Sequence, residues 1–213
     1  LLDGLARWDS VTHRSGIEFA ELRQAEQSVT VEARDTVRNE ACTFHAQYVI
    51  GCDGHRSAVR EQGGFTKREQ AYRQRWVMGD FPDAGHLGTE AHLYFSAEGS
   101  TESFPLPAGK RRWIAQVNPG DKTEPETILR ASVEQLAGVP LGRAACTFVG
   151  TFGAKRMLAK RYHNHRVLLC GDAAHVMSSI GGQGMNTGFA DAELLAKALG
   201  QALRNFTEAG QWF

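Results

Sequence analysis

The sequence predicts an α/β fold, more narrowly an α+β chain in which a buried strand and helix are combined with antiparallel sheet. Three observations carry that expectation. Val167-Leu168-Leu169-Cys170 is a short apolar run bounded by Arg166 and Gly171, the pattern of a strand covered on both faces. Two long stretches, residues 17–50 and 66–153, hold segments that alternate apolar and polar side chains with period two, as half-buried strands do. Near the end, Phe189, Ala192, Leu195, Ala196, Leu199 and Leu203 recur at helical spacing, which predicts a helix from about Thr187 to about Arg204 whose stripe is core. At 213 residues the chain is long enough for one large or two small domains.

Composition limits the function classes. Lys plus Arg and Asp plus Glu each number 24, so no net charge draws the chain to nucleic acid or to an anionic membrane surface. No apolar run approaches the roughly 20 residues of a membrane-spanning helix. No basic-then-apolar leader opens the chain, and a cytoplasmic location is the expectation. Cys42, Cys52, Cys146 and Cys170 form no CxxC pair and stand in apolar, strand-like surroundings, which predicts reduced core thiols in place of disulfides or metal ligands.

Taken in order, Leu1 to Arg7 reads as the end of an amphipathic helix without an initiator Met, as though a longer protein were entered midway. Ile17/Phe19 with Leu22, Val29/Val31/Ala33, and Phe44/Ala46/Tyr48 running into Val49-Ile50 predict three strands in a meander. The last of them ends in Gly51-Cys52-Asp53-Gly54, and Ser57 is placed to cap a short helix through Ala58-Val59-Arg60. Beyond residue 66, Trp76-Val77-Met78 with Phe81, His92-Leu93-Tyr94-Phe95, Ser103 to Pro107, and Arg112 to Val117 are separated by glycine-bearing turns. They predict an antiparallel sheet with one face available to a ligand. Lys67, Arg68, Arg73 and Arg75 read either as a basic run that touches a phosphate or, in the ordinary case, as a solvated loop. Thr123 and Glu126 suggest a capping box, with Pro125 in the first turn of a helix that carries Ile128, Leu129, Val133 and Leu136 and ends at Gly138. A strand through Cys146 to Gly150 leads to a basic segment, Lys155 to Arg166, where His163 and His165 sit in a polar loop and lack a third metal ligand. Gln211-Trp212-Phe213 reads as an exposed end.

The chemistry-bearing stretch is Gly171-Asp172-Ala173-Ala174-His175, followed by Gly181-Gly182-Gln183-Gly184-Met185-Asn186 and the last helix. Asp172 falls at the carboxyl end of a buried strand, where ligands of open α/β sheets bind. Glycine lets backbone N–H groups approach a ligand, and a helix start adds unpaired donors and partial positive charge. A phosphate or an electron-rich ring oxygen suits such a place. Asp53-Gly54 repeats the arrangement at another strand end, although Asp-Gly by itself is a common turn pair. His175 reads either as a proton relay or as a residue that hydrogen-bonds backbone.

Together, Gly51-Cys52-Asp53-Gly54 with Ser57 and Arg60, Gly171-Asp172-Ala173-Ala174-His175, and Gly182-Gln183-Gly184-Met185-Asn186-Thr187-Gly188 with Asp191-Ala192 closely resemble single-component FAD-dependent aromatic monooxygenases, the para-hydroxybenzoate hydroxylase-like family. Order and spacing match as well as residue type, and the likeness covers nearly the whole chain, with Phe104-Pro105-Leu106-Pro107 and Trp113 included. The resemblance implies a partial FAD/NAD(P)-binding fold with an inserted antiparallel-sheet substrate domain. Residues 1–65 and 161–213 would belong to the FAD-binding domain and residues 66–160 to the substrate sheet. It implies cofactor-binding roles for Asp53, Gly54, Arg60, Gly171, Asp172, Gly182, Gln183, Gly184, Met185 and Asn186, with no catalytic nucleophile and no metal.

On this resemblance Asp172 would hold a ribityl or ribose hydroxyl of FAD, because a carboxylate offers acceptor lone pairs in fixed directions. The loop Gly182 to Asn186 would meet the pyrophosphate and the N1/O2 edge of the isoalloxazine, where a helix N-terminus favours the negative charge of reduced flavin. Asp53 and Arg60 would lie near the pyrophosphate and the nicotinamide nucleotide. The implied reaction is hydroxylation of a small aromatic, phenol-like molecule by NAD(P)H and O2 through a flavin C4a-hydroperoxide. Trp76, Tyr94, Phe104 and Trp113 would orient the ring.

The chain departs from the family in two ways. It holds no GxGxxG within a βαβ unit of roughly 30 residues, so it reads as N-terminally truncated and, alone, as a weak binder of FAD or none. Val176 to Ile180 stands where relatives often carry proline, and its serines are expected to loosen the loop. Two other readings stay open: a non-catalytic fragment or binding module of that fold, and a related flavin reductase or halogenase.

Overall fold

The computed structural model describes residues 2–83, 87–178 and 180–208, which fall into two compact units. Leu1, Ser179 and the end at Gln211-Trp212-Phe213 lie outside the described residues. The first unit comprises Leu1–Lys67, Ala159–His175 and Ala190–Phe213; the second comprises Arg68–Leu158 and Val176–Phe189. In chain order the elements are α1 (Leu2–Leu5), β1 (Ile17–Gln24), β2 (Val29–Asp35), β3 (Glu40–Ala46), β4 (Val49–Gly51), α2 (Ala58–Gln62), β5 (Lys67–Pro82), β6 (His92–Ser96), β7 (Gly99–Leu106) and β8 (Lys110–Val117). Then follow α3 (Pro125–Ser132), β9 (Phe148–Ala159), β10 (His163–Asn164), β11 (Val167–Leu169), β12 (His175–Val176) and α4 (Gln183–Glu208).

In the first unit the period-two pattern forms the expected meander β1-β2-β3, with Leu22 opposite Val31 and Val31 opposite Phe44. Its third strand does not run on through Val49. β4 leaves the meander and lies parallel to β11, Val49 beside Val167 and Gly51 beside Leu169. Arg166 makes that departure possible: its guanidinium donates to Glu26 O (2.7 Å) and Gln47 O (3.2 Å), closing the turn from which β4 starts. Leu22, Val29, Val59, Phe65, Val167 and Leu169 form the core, where full burial of each aliphatic or aromatic side chain contributes roughly 1.5–3 kcal/mol. Gln62 fastens α2 to β1, accepting from Leu22 N–H (3.0 Å) and donating to Ala20 O (2.8 Å).

The second unit is built on a sheet in which β9, β5, β8, β7 and β6 follow one another in that order. α3 and the π-turn after it pack Leu129 and Val133 on Val77, Phe81, Trp113 and Ala115, and Gly138 (φ 67°) ends the turn. The start of α3 corrects the capping box. Pro125 takes the first helical position, so the capping residue is Glu124, whose carboxylate accepts Thr127 N–H (3.1 Å). Thr123 stands one residue too early, and Glu126 pairs with Arg130 one turn on (2.9 Å). The basic run Arg68 to Arg75 is the outer half of β5 and not a loop. Cross-strand pairs hold it there, Lys155 to Glu69 (2.5 Å) and Arg75 to Thr151 Oγ1 (3.0 Å). Its partner β9 accordingly continues to Ala159, well past the expected end at Gly150.

α4 begins at Gln183, earlier than Thr187. Its apolar stripe is not core among the described residues: Phe189 is 58% exposed and Leu203 42%. Helical spacing shows that a face is apolar but does not supply the chain that covers it. Among the described residues no helix is long and apolar enough to cross a membrane.

Candidate functional site

In the first unit, parallel pairing of β4 with β11 sends both acid turns out at one carboxyl edge, where Cys170 N–H donates to Gly51 O (3.0 Å). Gly51 permits this because a side chain there would meet Val59 Cγ1 at 2.8 Å. Gly54 (φ 77°) and Gly171 (φ 59°) occupy the left-handed region that glycine alone enters freely, and around Gly54 nothing stands within 4 Å of the place a Cβ would take. Asp53 is exposed, and its Oδ2 accepts Val59 N–H (3.0 Å) at the start of α2, beside the Ser57 cap on Arg60 N–H (2.8 Å). Asp172, in the 3-10 turn Gly171–Ala173, is also exposed, and its carboxylate has no hydrogen-bond partner among the described residues. Arg60 is 1% exposed; it donates to Ala173 O (2.9 Å) and His55 O (3.0 Å), so its guanidinium ties one acid turn to the other.

Asp191 on α4 completes this edge. Its Oδ2 accepts Gly171 N–H (3.0 Å) and meets His175 Nε2 at 2.5 Å, so the buried His175 is a strut under the turn. The Tyr162 ring lies 6.0 Å from the His175 ring, and burial followed by the Asp191 carboxylate pushes its hydroxyl pKa up. Burial and the neighbouring Cys52 thiol push Cys170 up to about 11. Asp191 stands in the motif the sequence offers, yet a single acid on a helix carries no local sign of such a role.

In the second unit, the 3-10 turn Ile180–Gly182 holds Gly181 at φ 75° and Gly182 at φ 64°, and around Gly182 nothing stands within 4 Å of a Cβ position. Gln183, Gly184, Met185 and Asn186 are the first turn of α4 and not a loop, although the opening N–H groups of a helix still lack intrahelical partners. Gly181 N–H donates to Glu102 Oε2 (3.2 Å). Glu102 was not among the sequence candidates: it sits in the polar run Ser100 to Ser103, whose composition gives no sign that it is buried throughout. Burial pushes the Glu102 carboxyl up, and the Gly181 N–H acts in the opposite direction.

The four aromatic candidates separate by strand alternation. Trp113 is core under α3, and Tyr94 packs on it with ring centroids 6.4 Å apart. Trp76 and Phe104 alternate with the α3-facing residues Val77 and Ser103 and so take the other face, where Trp76 stacks on Phe152 at 6.0 Å. No group of three or more His, Cys, Asp or Glu is placed to hold a metal ion among the described residues.

The FAD binding domain family model matches residues 1–211. The chain is 33% identical over 194 residues to 6-methylpretetramide 4-monooxygenase of Streptomyces rimosus, covering 89% of this chain and 34% of that protein. It is 31% identical over 203 residues to the 3-(3-hydroxy-phenyl)propionate/3-hydroxycinnamic acid hydroxylase of Burkholderia cenocepacia (strain HI2424), covering 92% and 36%. The solved structure of p-nitrophenol 4-monooxygenase from Pseudomonas putida DLL-E4 matches with a TM-score of 0.79 at 25% identity, covering 96% of this chain and 53% of that one. The chain thus spans 34% and 36% of the length of these two curated relatives.

Proposed function

Because the chain belongs to the FAD binding domain family, whose matched relatives include aromatic hydroxylases and monooxygenases, we propose that it serves an FAD-dependent monooxygenase. The reaction in this reading is hydroxylation of a small phenol-like molecule with NAD(P)H and O2. The observation that carries it is Asp172, an exposed carboxylate at the end of a parallel strand with no partner among the described residues, beside a turn kept open by glycine. An acceptor left free in that position suits a ligand hydroxyl.

FAD, when bound, would supply the electron and oxygen-atom transfer. Within the first unit, Asp172 would accept from a ribityl or ribose hydroxyl, while Gly54 leaves room for the cofactor near Asp53. Arg60 would act at one remove, its two hydrogen bonds keeping the acid turns in place. Within the second unit, the N–H groups of Gly182 to Asn186 would serve an anionic or electron-rich group. The sheet face bearing Trp76 and Phe104 would receive the aromatic ring. The cytoplasm, where NAD(P)H is supplied, is the compartment this reading implies.

The test uses protein carrying its native ends. It is expected to purify yellow or to take up added FAD, to oxidise NAD(P)H faster when a phenol is present, and to release a product heavier by one oxygen atom. A colourless protein that takes up no added FAD overturns the reading.

A further inference from the structure

We infer that Glu102 is a positioning residue for the glycine turn before α4, holding Gly181 by its main-chain N–H; its bearing on flavin rests on the function proposed above. Glu102 is 1% exposed on β7, with Leu93 opposite it on β6 and Ile114 opposite it on β8. Neither neighbour is a cation. Burying a carboxyl in such company is costly unless it is hydrogen-bonded. Among the described residues, the partner it has is Gly181 N–H at 3.2 Å, in a turn 79 residues further along the chain. An apolar residue of similar size would fill the same sheet position without that cost, so the carboxyl answers a need of the turn and not of the sheet.

The turn itself has such a need. Gly181 and Gly182 both lie at positive φ, a conformation that glycine enters easily and also leaves easily. Leu93 Cδ2 lies 3.5 Å from the place a Gly181 Cβ would occupy, so a side chain of the same sheet stands beside the turn. Glu102 adds a directed bond: an acceptor aimed at the Gly181 N–H fixes the Ile180–Gly181 peptide plane, from which the chain runs on into Gly182 and Gln183. Through it the sheet that bears Trp76 and Phe104 sets where the first-turn donors of α4 point.

The experiment compares wild type with Glu102→Ala, which removes the acceptor, Glu102→Asp, which withdraws it by one methylene, and Glu102→Gln, which keeps an acceptor oxygen at the same reach. Hydrogen exchange is measured on flavin-free protein. In the Ala and Asp variants the amides around Gly181 are expected to exchange about tenfold faster, the loss of one modest hydrogen bond. β5 and β8 should stay protected, and the Gln variant should stay within about threefold of wild type, well under one such bond. If Glu102→Ala does not fold, the Asp variant supplies the comparison. Unchanged exchange around Gly181 in the folded Ala or Asp variant overturns the inference, as does a Gln variant as loose as Ala. FAD titration separates this from the wider reading: a protein that shows the exchange pattern but takes up no FAD retains the clamp and loses the function. One that binds FAD with exchange unmoved retains the function and loses the clamp.

Discussion

The two acid turns of the first unit share a local grammar and do different work. Each follows a short strand of the same parallel pair, each has a cysteine before its aspartate, and each uses a glycine at positive φ. The Asp53 turn is closed upon itself: Asp53 accepts Val59 N–H, Ser57 caps Arg60, and Arg60 donates to His55 O. At the Asp172 turn the structural work passes to others. Asp191 takes the Gly171 N–H, Arg60 takes Ala173 O, and Asp172 is left without a partner. An acid that another acid has relieved of capping its own turn is available to a ligand; the position of the aspartate after the strand does not show the difference.

That contrast breaks most readily at Arg60, which serves both turns. Arg60→Ala leaves two carbonyls without their donor at about 1–3 kcal/mol each, so a loss near 3 kcal/mol is expected in urea unfolding. A loss under about 1 kcal/mol, the worth of one ordinary hydrogen bond, would mean the turns stand without it. The paired substitutions Asp53→Ala and Asp172→Ala sharpen the comparison. The first removes a cap and should cost about 1 kcal/mol of stability, whereas the second should stay within about 0.5 kcal/mol, as at an ordinary surface site. In protein with native ends, Asp172→Ala should weaken FAD about tenfold or more, because a hydrogen bond to a charged group is worth roughly 1.5–3 kcal/mol. Equal melting losses in the two variants would erase the distinction between the turns.

The smallest effect is chemical. At pH 8 a maleimide should label the exposed Cys52 well before the buried Cys170, because thiolate is the reactive form and Cys170 is pushed up to about 11. The folded thiol ionises above its unfolded value. Its stabilising contribution is therefore complete below pH 9.0 and is lost as pH rises toward about 11. Mass-resolved labelling against pH reads the ionisation of the Cys170 thiol, and Cys170 reacting alongside Cys52 at pH 8 would mean its strand end is open.

Much of the fold was legible in the chain because its signals are local. Period two gave the meander, and Ser57 and Gly138 marked their helix ends through cap chemistry that spans only a few residues. Where a choice depended on the boundary of a helix, local reading slipped: Pro125 moved the cap from Thr123 to Glu124, and α4 drew Gln183 to Asn186 out of the loop into its first turn. The polar outer half of β5 read as loop because its pairing partners lie on β9, far along the chain.

By itself the sequence determined the residue kinds: two glycine-flanked acids at strand ends, a glycine-rich turn, a helix start and alternating aromatics. Tertiary structure decided which of them are free to act. The parallel register of β4 and β11 brought the acids to one edge, and Asp191 and Arg60 settled which carboxylate remained unpartnered. Strand alternation sent Trp113 into the core and Trp76 to the other face, and Glu102 acquired a role only because Gly181 came to lie against it. The physical reason is common to all of these. A backbone preference is carried by a few neighbouring residues, whereas the partner of a hydrogen bond or the cover of a side chain comes from whatever the fold places beside it.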